Sequence, residues 1–292
     1  MIETRLIEYF LAVAREQNIT KAAEILHISQ PSLSKQMADL EKKLGKKLLI
    51  RGNKNTTLTE DGQYFRTKAE QIIQLIETTE SSLGNENDIS GNIFMGCAET
   101  VHMSFFSKIM KEISDNHPNI VFHVHSANAN DVIDRIDKGL LDIGLLINPN
   151  FDEKHDYLEM PFYDIFGILV RKDDPLFQNK DKVLSQDIKG IPFIMTSQRQ
   201  DSSFLVDWLG MPFSRLNIVA YYNLIYNATH MVEKGLGCSL SISDLVDTSE
   251  HSLLKFVPLY PEVKGKLYIV TKKYQTFSKA TKLFLDCISE RI

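Results

Sequence analysis

The stretch Thr20–Arg51, TKAAEILHISQPSLSKQMADLEKKLGKKLLIR, constrains the chain most, because it holds two helix signals with almost nothing between them. Lys21 to Leu26 is a short Ala-rich run with Thr20 as its candidate N-cap. After His27-Ile28, Ser29 can cap a second helix, and Pro31 falls in that helix's first turn, where a missing N–H costs least. Leu33, Met37, Leu40 and Leu44 recur at helical intervals and so line one buried face. Gln30, Ser32, Ser34 and Lys35 point away from that stripe, bunched at the N-terminal end, and Gly45 offers a C-terminal stop.

Two short helices at a tight turn, the second with a polar tip, describe a helix-turn-helix, whose second helix enters the DNA major groove. The Gln30 amide can pair with adenine, and Lys35 can reach guanine or a phosphate. An ordinary helical hairpin with a solvated polar face fits the same spacing.

The residues also carry a family resemblance. Ser29-Gln30-Pro31, Ser34, Leu40-Glu41, Leu44-Gly45, Leu48, Arg51 and Leu58-Thr59-Glu60-x-Gly62 resemble the winged helix-turn-helix of LysR-type transcriptional regulators. Leu49 replaces the Phe usual in that strand, and Lys54 stands where an Arg is common in the wing, which keeps the charge but loses the planar fork. The resemblance implies DNA contacts from Thr20, Gln30, Pro31, Ser32, Ser34, Lys35, Arg51 and Lys54.

A chain of 292 residues fits two or three compact units, and 43% hydrophobic with 24% charged residues is an ordinary globular balance. No apolar run approaches the roughly 20 residues that span a bilayer. Glu3 and Glu8 interrupt any signal-peptide layout. Cys97, Cys238 and Cys287 are spread widely without a CxxC, which suits a reducing compartment and argues against a disulfide or zinc scaffold. The expected location is the cytoplasm, with no membrane partner. Net charge is −5, yet residues 1–58 hold ten Lys/Arg against six acids, or +4, leaving −9 downstream. A basic head on an acidic body suits phosphate contacts made by one domain. A chance cluster of solvated lysines remains the alternative for Lys42, Lys43, Lys46 and Lys47.

Arg5 to Glu16 reads as a first helix, with Leu6, Phe10, Val13 and Ala14 on one face and Asn18 ending it. Leu48–Ile50 and Thr56–Leu58 read as the wing hairpin. Thr59 is the candidate N-cap of a helix reaching about Leu83, with Glu60 and Asp61 in its first turn. Along it Phe65, Ala69, Ile72, Ile76, Thr79 and Leu83 form a narrow heptad seam, which suits a partner helix from a second copy; packing on the same chain is the other reading. In the family resemblance this is the linker helix of a dimer, so two heads can meet the half-sites of a pseudo-palindromic operator.

Gly84-Asn85-Glu86-Asn87-Asp88 is a turn-prone boundary. From Asn92 onward strands alternate with helices: strands at 93–97, 120–125, 143–147, 166–171, 217–221, 238–242 and 267–271, helices at 105–116, 132–140, 203–209, 228–234 and 279–288. The pattern predicts a mainly parallel sheet covered on both faces. His117-Pro118-Asn119-Ile120, Lys138-Gly139-x-x-Asp142-Ile143-Gly144, Asp173-Asp174-Pro175-Leu176 and Val232-Glu233-x-Gly235-Leu236-Gly237 resemble the LysR effector domain. At Ile242 the family often has Pro, so the following loop is expected to differ. The resemblance implies an α/β domain of two lobes of the type II periplasmic-binding-protein kind, joined near Met160-Pro161 and Lys266-Leu267. The expected division is a head at 1–58, a linker helix and hinge at 59–90, and an effector domain at 91–292. Its first lobe takes 91–161 and 267–292, its second 162–266.

Ligands of open parallel sheets bind beyond the carboxyl ends of strands. The first such end is Ala98-Glu99-Thr100-Val101-His102, where Thr100 can donate and the next helix's free N–H groups would favour an anion; a plain N-cap is the alternative for Thr100. In the resemblance Thr100 takes the position of the family's Ser/Thr effector contact. With His102, Asn128, Asn148, Thr196 and Ser197 from the Thr196-Ser197-Gln198 loop, it makes the candidate effector set for a small, anionic metabolite. The implied partners are double-stranded DNA, that effector, further copies of the chain as a dimer or dimer of dimers, and RNA polymerase.

Enzyme signals fail. Gly237-Cys238-Ser239-Leu240-Ser241 lacks the final glycine of a nucleophile elbow and opens a strand, the reverse of the required order. Gly235-Leu236-Gly237 is a helix stop, and Gly139 to Gly144 lacks a phosphate-loop Lys. His123 and His125 share a strand face but no third ligand is spaced for a metal, so surface histidines fit better. Cys97 could be a redox trigger or a small buried residue; nothing basic adjoins it. No catalytic residue, metal or cofactor is expected.

Overall fold

Single side chains, those of Asn18, Ser29 and Thr59, fix three helix starts in the head of the computed structural model, which describes residues 2–52, 55–82, 89–197 and 203–292. Lys54, Leu83, the 84–88 boundary and Gln198 lie outside the described residues. The chain divides into two compact units, Met1–Leu83 and Gly84–Ile292.

In the first unit α1 (Thr4–Glu16) buries Leu6, Phe10 and Val13 and ends at Gln17, in left-handed conformation. Asn18, not Thr20, caps α2 (Ile19–Ile25): its side chain accepts the N–H groups of Thr20 and Lys21 at 2.9 and 3.0 Å. Thr20 is already inside the helix, where its own N–H needs a partner. Ser29 caps α3 (Gln30–Leu44) through the Ser32 N–H, and Gly45 closes it at φ 66°. The wing strands β1 (Leu49–Arg51) and β2 (Thr56–Leu58) pair antiparallel. Thr59 accepts the Gly62 N–H at 2.9 Å and donates to the Lys47 carbonyl at 2.6 Å, fixing the start of α4 (Glu60–Ser82) against the approach to β1.

The seam on α4 divides. Phe65 meets Phe10 edge-to-face, with ring centroids 4.9 Å apart, and Ala69 is fully buried in the head core. These two residues pack on their own chain. Ile72 is exposed, Ile76 half-buried, and Thr79 exposed with its hydroxyl on the Leu75 carbonyl. Phe65 and Ala69 are therefore absorbed by the three-helix core, while Ile72 and Leu75 leave apolar surface further along the helix.

The second unit is a nine-stranded mixed sheet with two covered faces in each of two lobes. The first lobe holds β3 (Gly91–Cys97), α5 (Met103–Asn116), β4 (Ile120–Ser126), α6 (Ala129–Asp137), β5 (Ile143–Ile147) and the final helix α9 (Lys279–Ser289). The second holds β7 (Pro192–Thr196), α7 (Ser203–Leu209), β8 (Asn217–Tyr222), α8 (Ile225–Glu233), β9 (Cys238–Ile242) and β10 (Leu254–Pro258). Two long strands, β6 (His155–Arg171) and β11 (Lys264–Lys272), run between them. The β3–β4, β3–β5, β7–β8 and β7–β9 pairs are parallel. Every pair involving β6 or β11 is antiparallel, so the sheet is evenly mixed where a mainly parallel one was expected.

β6 pairs with β11 up to Ile165 and with β9 from Phe166, which puts the hand-over between lobes at Ile165-Phe166 and Lys264. That is a few residues beyond the expected Met160-Pro161. Pro161 instead sits where the β6–β11 register shifts, between the Glu159–Tyr268 and Tyr163–Lys266 pairs, the kind of irregularity that tolerates a residue without an N–H.

Candidate nucleic-acid interface and ligand cavity

The tip of α3 exposes Gln30, Pro31, Ser32 and Lys35, while Leu33, Met37 and Leu40 are buried behind it. Thr20 on α2 is exposed too. Ser34 is half-buried and held by the wing: Arg51 Nη1 donates to its hydroxyl at 2.9 Å and Nη2 to its carbonyl at 3.3 Å. The structure thus joins Ser34 and Arg51 directly. Of the head lysines, Lys43, Lys46 and Lys47 lie near Glu3, Asp61 and Glu41, whereas Lys21, Lys35 and Lys42 make no ion pair among the described residues. Of these last three, Lys35 stands near the tip of α3 and Lys21 on α2, so their charge is available beside the exposed tip, while Lys42 lies in the last turn of α3.

Thr100 is buried and turned to the crossing strand, donating to Asp164 Oδ2 at 2.9 Å and accepting the His102 N–H at 3.2 Å. His102 stacks on Phe162 with centroids 4.5 Å apart, and its Nε2 lies 3.2 Å from the Tyr163 carbonyl. Burial pushes the Asp164 carboxyl above its usual range; Thr100 and His102 draw it back and Asp244 adds to the rise. These groups brace the hinge strand. The expected anion site at the start of α5 is closed as well, because the N–H groups of Met103, Ser104 and Phe105 donate to the carbonyls of Thr100, Val101 and His102.

A cavity of about 170 Å³ opens at the strand ends, and its polar lining includes Glu99, Asn130, Asn148, Thr196, Tyr222 and Asn223. Its apolar wall includes Phe166, Met195, Leu240 and Ile242. Of the expected effector set only Asn148 and Thr196 reach it; Thr100, His102, Asn128 and Ser197 do not. Asn128 caps α6 through the Asp131 N–H, and Ser197 is exposed. Asn148, at φ 42°, binds the Lys264 carbonyl and the Lys266 N–H through its side chain, so it also stitches β5 to β11. Glu99, one residue before Thr100, escaped the sequence reading although a carboxylate at the end of an apolar strand was its signal.

The remaining candidates have separate partners. His123 faces Asn92 at 2.9 Å and stacks on Phe94, while His125 contacts Asp131 at 2.8 Å. Among the described residues no three His, Cys, Asp or Glu side chains are grouped to hold a metal. Ser239 and Ser241 are buried and donate to strand carbonyls. Burial raises the Cys97 thiol above its usual range and pushes Cys238 up to about 12, which disfavours the thiolate at both positions. Among the described residues no helix is long and apolar enough to cross a membrane.

A winged three-helix head with an exposed polar helix tip, followed by a two-lobed α/β unit with a lined cavity, defines a DNA-binding regulator with a ligand-binding domain. The profile of the "LysR substrate binding domain" matches residues 86–292, and that of the "bacterial regulatory helix-turn-helix protein, lysR family" residues 4–63. The chain is 27% identical over 294 residues to the Hca operon transcriptional activator HcaR of Escherichia coli, covering 100% of this chain and 98% of that one. It is 29% identical to a probable RuBisCO transcriptional regulator of Trieres chinensis, covering 94% and 92%. Full-length CbnR, solved with its target DNA, shares the fold at a TM-score of 0.74 and 17% identity over 100% of both chains. The chain belongs to the LysR family of transcriptional regulators, which are not enzymes.

Proposed function

We propose that the chain works in the cytoplasm as a homodimer or dimer of dimers that reads two half-sites of a pseudo-palindromic operator, with RNA polymerase as a further partner. Residues 1–58 are the reading head, 59–90 the linker and hinge, and 91–292 the effector domain. A small molecule seated at the strand ends between the lobes shifts their closure, and with it the spacing of the heads on DNA. The observation that carries this reading is the capped start of α3, which holds Gln30, Ser32 and Lys35 exposed over a packed core. Arg51, tied to Ser34, carries the wing's charge beside that helix.

The test selects DNA fragments bound by the purified protein, then measures affinity for the selected and for random sequences. Gln30→Ala and Lys35→Ala should each cost about 1–3 kcal/mol on the selected site where a base contact is lost. Equal loss on random DNA would show that these side chains read no sequence. Affinity must also fall between low and physiological salt, as release of counterions requires.

A further inference from the structure

Glu99 carries the only formal charge among the described residues that line the cavity. It leaves β3 in the first lobe, and its Oε2 accepts the N–H of Ile225, the first residue of α8 in the second, at 2.8 Å. The nine-residue α8 has no side-chain cap of its own, because Leu224 holds the N-cap position. A carboxylate of the protein is thus already seated where the positive end of that helix would attract a ligand anion. Of the other nearby helix starts, that of α5 is closed by its own preceding carbonyls, and that of α6, whose Ala129 and Asn130 also line the cavity, is capped by Asn128 through the Asp131 N–H. The second oxygen of Glu99 accepts no hydrogen bond from the described residues, while Phe166, Met195, Leu240 and Ile242 offer an apolar wall.

We propose that the effector is a small amine or comparable cation with an apolar body, its N–H donors on Glu99, in place of the anion expected from sequence. The inference rests on the reading of this cavity as the effector site. A volume near 170 Å³ is close to the ~150 Å³ cavity that holds one benzene ring, which limits the body to about one ring or a short branched chain. A ligand carboxylate in the same place would face Glu99 with no described cation to offset it, and like charges brought together out of water disfavour one another.

The test uses the full-length protein and probes matched in skeleton: benzylamine, benzyl alcohol and benzoate, and isobutylamine with isobutyrate, titrated by calorimetry. Asn223→Trp, at an exposed lining position, assigns a probe to the cavity by abolishing its binding. Each amine should bind at least about tenfold tighter than its carboxylate, the scale of one charge-assisted hydrogen bond. Glu99→Gln, which keeps an oxygen for the Ile225 N–H, should erase that preference and leave benzyl alcohol unaffected. A preference that survives Glu99→Gln, or carboxylates binding in the cavity as well as amines, overturns the inference and leaves the effector reading standing. If probes of neither charge bind there, both fall. The ratio in the unaltered protein decides the sign of the charge even if Glu99→Gln fails to fold.

Discussion

Glu41 is an acid in a basic head, and only 4% of it is exposed. Its Oε1 accepts the N–H groups of Leu48 and Leu49 at 2.8 and 3.1 Å, and its Oε2 lies 3.1 Å from Lys47 Nζ. Burial by itself raises its pKa, but the two backbone donors and Lys47 outweigh that and hold the carboxyl below its ordinary 4.5. A carboxyl depressed by folding stabilises the folded state above the unfolded pKa, and that stability is lost as pH falls through the folded value. Glu41→Gln should therefore lower stability by about 1–3 kcal/mol at pH 7. The deficit should shrink steadily below pH 4.5, read from urea midpoints across that range. The motif Leu40-Glu41 is visible in the sequence, but its spacing does not show that Glu41 turns to the N–H groups of Leu48 and Leu49. The strand end after β3 teaches a similar lesson. Glu99 lines the cavity while the adjacent Thr100 turns to Asp164, a division that the order of residues alone does not fix.

α3 and α4 were legible as elements because their apolar residues keep a helical period and their caps are Ser29 and Thr59. Gly62 marks how α4 seats. A Cβ added there would lie 2.1 Å from the Leu48 carbonyl oxygen, which is backbone and cannot swing aside. Gly62→Ala should destabilise the head by at least about 1–3 kcal/mol through this overpacking, measured as a lowered melting midpoint with reduced DNA affinity. An unchanged midpoint would mean that α4 can lift from β1 at no cost. Of β6 only the crossing near Met160-Pro161 and the stretch 166–171 were expected, of β7 only its end at Thr196, and β10 was not anticipated. His155 to Asp164 carries six titratable side chains and Pro161 within ten residues, which argues against a strand until β11 is placed beside it.

For the molecule as an assembly, the exposed part of α4 matters most. Ile72 and Leu75 are 41% and 46% exposed, whereas Phe65 and Ala69 are committed to the head core. A second copy laid along this face would remove those side chains from water, at about 1.5–3 kcal/mol for each one fully buried. Ile72→Glu with Leu75→Glu should shift the protein toward monomer in sedimentation and abolish binding to a two-half-site operator. The melting midpoint of the head should be kept, since neither side chain belongs to its core. A variant that sediments as the parent does would place the self-association face elsewhere.

The sequence alone determined the order of parts: a helix-turn-helix, a wing, a long helix and a βα body, because each is written in local period, capping residues and charge. Motif spacing also carried the family. The tertiary structure decided which side chains are left over for function. Whether Phe65 serves the core or a partner, whether Thr100 faces a hinge or a cavity, and which carboxylate meets the start of α8 depend on contacts between residues far apart in the chain. Such contacts leave no period along the sequence, because their geometry exists only once distant segments pack.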